Sequence, residues 1–562
     1  MGRDPGRSIT PMAGNRTRLA ALVGLLPILV VAAVFLLPYA TAVGGGAWGE
    51  GGPVPRVLRA LADPALRRII GFTAAQAGWS TLAALALGLP GAWLIGSGRY
   101  RGAALVRAVA SIPFAMPPVL VVLGFVLFFG NAGWLNRAFM ALTGAEEGPL
   151  RVLYRPAAIV LAHAFYNFPI VLRLAGDGIA AGRASYASAA ATLGSSPRKT
   201  FFTVLLPVAA PSIAASALLV FLYCFTSFAV VLVLGGGPAA TTLSVEIFRA
   251  ARVGLDFETA GALALVETAI AAAAYLLYAR LERAARSFAG TAENRGRRNL
   301  LPPKASGDLA AIVYLALAAF LILGPLVSVP LESFLWRSSR TAHAAFSLRW
   351  WAAVRDAALP ALGRSLLLAA ASATLAVILA TSAAVAVWLS PARSRFGSLT
   401  AALCLAPLAS SGIVLGLGWI RLYGSDLART FWAVAVVQAT AALPFAYRSV
   451  AEGLAALPPS MADAAASLGA PPAKTALLVA LPASAPRIRS AWAFAAAISL
   501  GELNTVLMLG LEDWETLPLL VYRAAGAYRF GSACAAGTLL ALACAGAFLL
   551  SEAGAVRPKR NT

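Results

Sequence analysis

The chain has 562 residues, 60% of them hydrophobic and 12% charged, and its mean hydropathy is +0.79. That composition excludes a water-soluble fold, and recurrent apolar runs of about 20 residues have the length a helix needs to cross a bilayer core. The formal charge of +22 does not indicate nucleic-acid binding, because the arginines lie in short segments between apolar runs rather than on one face of a soluble domain.

Taken in chain order, spans are predicted near 19–42, 72–96, 105–130, 153–173, 212–234 and 259–280, then near 308–330, 364–389, 398–420, 431–448, 489–510 and 532–551. The first run, LAALVGLLPILVVAAVFLL, lacks the period-two alternation of a transmembrane β-barrel. It is also too long for a signal-peptide core and has no small-residue cleavage site, so it is expected to remain as a helix. The fold class is therefore all-α and polytopic, with about twelve transmembrane helices in two six-helix halves.

Basic residues set the expected orientation. They cluster at Arg3, Arg7, Arg16 and Arg18, at Arg99, Arg101 and Arg107, from Arg280 to Lys304, at Arg393 and Arg395, and at Arg557, Lys559 and Arg560. The positive-inside rule makes these the cytoplasmic sides and puts both termini in the cytoplasm, although Arg67, Arg68, Arg349 and Arg355 run against the bias. The polar, basic, Pro- and Gly-containing stretch after the sixth span reads as a linker, giving a first half over 1–285, a linker over 286–307 and a second half over 308–562. Cys224, Cys404, Cys534 and Cys544 fall in apolar runs without CxxC spacing and read as buried small hydrophobes, with no metal site indicated.

The halves are copies of one another. Sliding the sequence on itself by 469 − 194 = 275 residues lays SYASAAATLGSSPRKTFFTVLLPVAAPSI, from Ser185, over SMADAAASLGAPPAKTALLVALPASAPRI, from Ser460, without a gap. The register extends upstream through Pro169, Arg173 and Gly178 against Pro444, Arg448 and Gly453, and downstream through Leu234-Gly235 against Leu509-Gly510. In each copy small residues precede Leu-Gly, and Val-x-Leu-Pro follows, which predicts helix, turn, helix. Gly194 and Gly469 permit a backbone turn that a β-carbon resists, and Pro207 and Pro482 set the start of the next span.

This segment resembles the signature loop of bacterial ABC importer permeases: Glu-Ala-Ala, three residues, Gly, nine residues, Ile, any residue, Leu-Pro. The matching positions are Ser188, Ala189, Ala190, Gly194, Val204, Leu206 and Pro207 in the first copy, and Asp463, Ala464, Ala465, Gly469, Val479, Leu481 and Pro482 in the second. Both copies depart from the signature at the Glu and Ile positions. The resemblance implies a type I ABC importer transmembrane fold in which each loop docks as a coupling helix on an ATP-binding subunit. It also implies a cytoplasmic ATPase dimer, a periplasmic or lipid-anchored substrate-binding protein, and a bacterial inner-membrane location. None of Lys199, Lys304, Lys474 and Lys559 follows a glycine, so no GxxxxGK[ST] phosphate loop is present and ATP hydrolysis is assigned to separate subunits.

Over nearly its whole length the chain resembles fused permeases of the thiamine and ferric-iron branch, thiamine permeases more closely. The resemblance rests on LAHAFYNFPIVLRL from Leu161, CFTSFAVVLVLGGGPAATTLSVEIF from Cys224 and SLGELNTVLMLGLEDWETLPLLVYRAAGAYR from Ser499. Thiamine is the substrate this implies, with ferric iron and polyamines as alternatives.

Among ionisable residues, Glu502 stands out, because a carboxylate in an apolar span is costly and faces a partner or an aqueous path. With Asn504, and with Thr226 and Ser227 at matching positions of the other half, it is a candidate to line a passage for a cationic solute; an internal salt bridge or interhelical hydrogen bond is the alternative. His163, aligned with Gln438, and Glu267 read as interhelical packing contacts, while Pro113, Pro117, Pro118, Pro407 and Ser410-Ser411-Gly412 predict kinks. Trp134, Trp350, Trp351 and Trp514 read as interface anchors. An ion-coupled transporter of six plus six helices is the more remote reading, and the two repeated loops argue against it. His163, His343 and scattered carboxylates form no catalytic set, so the chain reads as no enzyme, with no cofactor.

Overall fold

The computed structural model describes residues 10–44, 62–96, 106, 116–183, 186, 188–235, 237, 240–296, 309–337, 344–391, 394–511 and 514–555. Pro113, the basic residues Arg3, Arg7, Arg99, Arg101, Arg107, Lys304, Arg393, Arg557, Lys559 and Arg560, His343, and positions 297–307 of the expected linker lie outside them. Among the described residues ten helices are long and apolar enough to span a membrane, and the pair Arg395–Ala409 and Gly412–Ala428, bent by 104°, adds an eleventh. The helix Leu481–Leu500 is not among them, and it carries Arg487 and Arg489. Of the third span, expected over 105–130, residues 107–115 lie outside the described residues, and a helix runs from Pro118 to Phe129 with Pro118 in its first turn, where a missing N–H costs nothing.

The helices form two compact units. One contains Gly49–Arg355 and Val521–Thr538, and the other Met1–Trp48, Asp356–Leu520 and Leu539–Thr562. The units therefore do not follow the sequence halves. The chain's first helix belongs with helices of the second half, and Leu309–Ser333, which opens the second half, belongs with helices of the first.

In the larger unit the central pair is Pro64–Gly96 against Pro156–Gly182. A β-carbon on Gly88 would stand 2.7 Å from Val171 Cβ, and one on Gly96 2.6 Å from Ile179 Cβ, so glycine lets the two backbones approach closely. In lipid this matters because helix association depends on packing rather than on expelling water. Leu309–Ser333 is fixed to the same unit by Tyr314, whose hydroxyl donates to Leu87 O at 2.7 Å, and by Gly124, where a β-carbon would collide with Pro325 O. A short hairpin follows, pairing Leu335 with Phe346, Trp336 with Ala345 and Arg337 with Ala344.

In the smaller unit the chain's first helix is interrupted by a π-helical turn at Ala32–Leu36. Such a turn shifts the hydrogen-bond ladder and frees carbonyls for other donors. Trp419 Nε1 donates to Val34 O at 2.9 Å, and the Tyr423 hydroxyl donates to Ala33 O at 2.8 Å, both from the helix Gly412–Ala428. A β-carbon on Gly418 of that helix would collide with Pro38 O, so the contact between the two helices is at backbone distance. Cys224, Cys404, Cys534 and Cys544 are buried.

Candidate functional site: repeated loops and broken helices

The repeated loops have the same backbone. Helices Ser188–Thr192 and Pro459–Ser467 run into Gly194 and Gly469, whose φ angles are 75° and 78°. In this left-handed region a β-carbon is strained by roughly 1–2 kcal/mol, which accounts for the glycines. Leu193 N donates to Ala189 O and Ser195 N to Ala190 O, and Leu468 N to Ala464 O and Ala470 N to Ala465 O, so each loop closes its helix with the same pair of bonds. Ala190 and Ala465 are both buried, whereas Leu193 and Leu468 are each 87% exposed. A leucine fully offered to solvent at the same place in both copies is a feature the sequence reading did not single out.

The elements that follow keep the same offset. A short helix at Pro197–Thr200 corresponds to Pro472–Thr475, and a π-helical turn at Phe201–Leu205 to Ala476–Ala480, with 476 − 201 = 275. The α-helices then begin at Leu206 and Leu481, with Pro207 and Pro482 in their first turns, and end at Phe225 and Leu500. Proline has no N–H to donate, so a widened turn immediately before it costs less than in mid-helix.

Beyond these helices both copies break and resume, at Ala229–Leu234 and Asn504–Leu509. The first break contains Thr226, Ser227 and Phe228, and the second Gly501, Glu502 and Leu503. The sequence expectation put Glu502 within a continuous span, whereas it sits in the break. Its Oε1 accepts from Asn504 N at 3.2 Å and its Oε2 from Thr505 N at 2.8 Å. Backbone donors freed by the interruption thus support a carboxylate that an intact helix could not accommodate. The other broken segment of the same unit lies alongside: a β-carbon on Gly412, after the Ser410-Ser411 bend, would stand 3.9 Å from Glu502 Oε1. Ser410-Ser411-Gly412 thus forms a kink, as its composition predicts. In the first half the Thr226 hydroxyl turns back to Leu222 O at 2.9 Å. Glu502 and Asn504 are brought together in one unit, and Thr226 and Ser227 in the other.

Buried polar contacts hold the helices around each break. In the larger unit Gln76 Nε2 donates to Cys224 O at 2.9 Å, which leaves Gln76 Oε1, 3.1 Å from His163 Nδ1, as the acceptor and places the imidazole proton on Nδ1. Ser80 Oγ is 3.4 Å from the same nitrogen, and His163 Nε2 has no hydrogen-bond partner. In the smaller unit Gln438 Oε1 accepts from Ser499 at 2.5 Å and from Ser372 at 3.5 Å. Thr73 Oγ1 accepts from Leu243 N at 3.0 Å, and Ser365 Oγ from Leu517 N at 2.8 Å. Sequence reasoning reached His163 and Gln438 as packing contacts but missed Ser80, Ser372, Thr73 and Ser365. A second offset, 372 − 80 = 365 − 73 = 292, would have found them. Glu267 is buried and accepts from Ser244 at 3.0 Å.

Duplicated bundles, each with an exposed loop at one end of a broken helix, define a membrane permease driven from outside itself. Residues 88–287 and 396–555 both match the family described as binding-protein-dependent transport system inner membrane component. The chain belongs to that family: it is a multi-pass inner-membrane permease of an ABC importer and not an enzyme, and the family implies ATPase and substrate-binding partners. It is 28% identical over 555 residues, 98% of each chain, to the thiamine transport system permease protein ThiP of Brucella suis biovar 1 (strain 1330). It is 28% identical over 473 residues to the protein of that name from Escherichia coli (strain K12), covering 82% of this chain and 84% of the relative. The putative 2-aminoethylphosphonate transport system permease protein PhnU of Salmonella paratyphi A (strain ATCC 9150 / SARB42) is 28% identical over 258 residues, 45% of this chain and 88% of its own.

Proposed function

We propose that the chain translocates thiamine, with a separate ATPase subunit docked on each repeated loop, a binding protein delivering substrate at the opposite side, and both termini in the cytoplasm. On this reading Leu193 and Leu468 are the apolar contacts that the ATPase subunits cover, and Ala189, Ala190, Ala464 and Ala465 form the narrow helix surfaces that let those subunits approach. Gly194 and Gly469 hold the turns, while Val204, Leu206, Pro207, Val479, Leu481 and Pro482 connect them to the broken helices. Two loops are needed because closure of an ATPase dimer must move both halves for the passage to change sides.

The observation that carries the substrate reading is Glu502, a carboxylate placed in a helix break beside Gly412. Thiamine carries a fixed positive charge, and a carboxylate beside Asn504 suits its passage, with the Thr226 and Ser227 hydroxyls at the matching positions of the first copy. Overlap with the two ThiP relatives over 98% and 82% of this chain supports the same substrate. The test is reconstitution in proteoliposomes with the cognate ATPase and binding protein, measuring ATP-dependent uptake of labelled thiamine, ferric iron and 2-aminoethylphosphonate. Thiamine uptake that stops without ATP is expected; uptake of another solute alone overturns the substrate, and uptake on an ion gradient without ATP overturns the mechanism.

A further inference from the structure

Within the larger unit, at the end away from the repeated loop, is a cavity of about 380 Å³ that plays no part in the coupling loops or the broken helices. It lies where several spans begin or end: after Pro118–Phe129, before Pro156–Gly182, after Leu309–Ser333 and before Phe530–Ala555. Its volume is in the small-ligand range of roughly 300–1,000 Å³.

The walls combine three kinds of chemistry. Leu127, Leu153 and Phe530 are apolar, and Tyr154, Trp350 and Tyr528 present aromatic surface. Arg137 and Glu332 contribute an ion pair of 2.7 Å, their side chains 31% and 12% exposed. Trp134 Nε1 also donates to Glu332 Oε1, at 2.6 Å. Tyr154 and Tyr528 both line the cavity, and both have left-handed backbones, with φ of 61° and 58°. Bulky residues take this conformation only where the surroundings impose it, and such positions concentrate at ligand clamps. A half-buried ion pair in an otherwise aromatic wall is a poor source of stability, since desolvation offsets most of the attraction.

We propose that this cavity binds the headgroup of a zwitterionic phospholipid, phosphatidylethanolamine, with the ammonium against Glu332 and the aromatic faces and the phosphate on Arg137. The charge pattern argues for this occupant. One fixed anion and one fixed cation 2.7 Å apart match a ligand with both signs on neighbouring groups, and phosphatidylglycerol offers only one. On this proposal the ammonium joins Trp134 and Arg137 among the groups that meet the Glu332 carboxylate. Aromatic faces attract ammonium groups further. The location agrees as well, since the ends of membrane-crossing helices lie at headgroup depth, where tryptophan and tyrosine concentrate.

The test is native mass spectrometry of the full-length chain released from vesicles containing equal amounts of phosphatidylethanolamine and phosphatidylglycerol. The most tightly retained lipid should be phosphatidylethanolamine, by at least fivefold. Leu153→Trp, which fills the cavity, should lower that retention about fivefold, and Glu332→Gln should bring the two lipids near parity. Equal or greater retention of phosphatidylglycerol by the wild-type chain, a reading that needs no variant, overturns the proposal, as does undiminished retention by a folded Leu153→Trp. Soluble phosphoethanolamine should fail to displace the lipid at equal concentration; displacement would show that the site takes the free zwitterion and overturn the lipid assignment.

Discussion

The breaks after Phe225 and Leu500 share a backbone but not a chemistry. Both interrupt a helix for three residues and resume it for six, yet one contains hydroxyls and the other a carboxylate held by two backbone N–H groups. The loops upstream differ far less: left-handed glycine, exposed leucine and the closing pair of hydrogen bonds are the same in both. A symmetric motor demands the same lever on each side, whereas a passage for an asymmetric solute has no reason to be lined twice with the same groups. On the proposed reading, duplication persists where the ATPase subunits dock and relaxes where the solute passes.

The largest expected effect tests the symmetric part. Gly469→Asp and Gly194→Asp each force a β-carbon into a left-handed turn and should lower ATP-dependent uptake more than tenfold, with membrane insertion unchanged by protease mapping. If only one abolishes uptake, the two levers are unequal. Next, Glu502→Gln should lower uptake about tenfold with the importer still assembled by size exclusion, while Ser227→Ala should cost less than twofold. Equal losses would mean that the breaks serve one purpose, and a misassembled Glu502→Gln would make the carboxylate structural.

Smaller effects sharpen the same contrast. Leu468→Ser and Leu193→Ser should each weaken ATPase association several-fold in a pull-down, without shifting the thermal midpoint, because both side chains are exposed in the free chain. His163→Gln makes the two buried networks chemically alike and should change stability by less than about 1 kcal/mol, the scale of interhelical hydrogen bonds in membranes. Least affected is Asp256→Asn at the start of the helix Phe257–Gly296, where Thr259, chiefly through its side chain, and Glu258, through its N–H, hold the Asp256 carboxyl below its usual range. A depressed carboxyl stabilises the fold above its unfolded pKa and loses that contribution as pH falls through its folded value. Asparagine keeps the cap and should remove this small acid dependence of the thermal midpoint.

The backbone of the repeated loops was legible in the sequence because every feature it needs is local: a glycine where φ turns positive, alanines before it and a proline at the next helix. Even the 275-residue offset is reproduced at element boundaries. The kink at Ser410-Ser411-Gly412 was legible for the same reason. Glu502 was recognised as costly but placed in a continuous helix, because hydropathy registers apolar neighbours and not the interruption of the hydrogen-bond ladder. The π-helical turns left no trace, since Phe201–Leu205 and Ala476–Ala480 have the composition of ordinary helix. Membership of the compact units was out of reach: nothing in LAALVGLLPILVVAAVFLL announces that its partners include Trp419 and Tyr423, about four hundred positions away.

That distant partnership has a consequence for biosynthesis. The segment ending at Gly44 joins a unit whose next portion begins at Asp356, so 356 − 44 = 312 positions separate it from its neighbours. At about 5–20 residues per second the ribosome takes roughly 15–60 s to supply them. During that interval this hydrophobic stretch lacks Trp419 and Tyr423, the partners that bind its carbonyls in the finished fold.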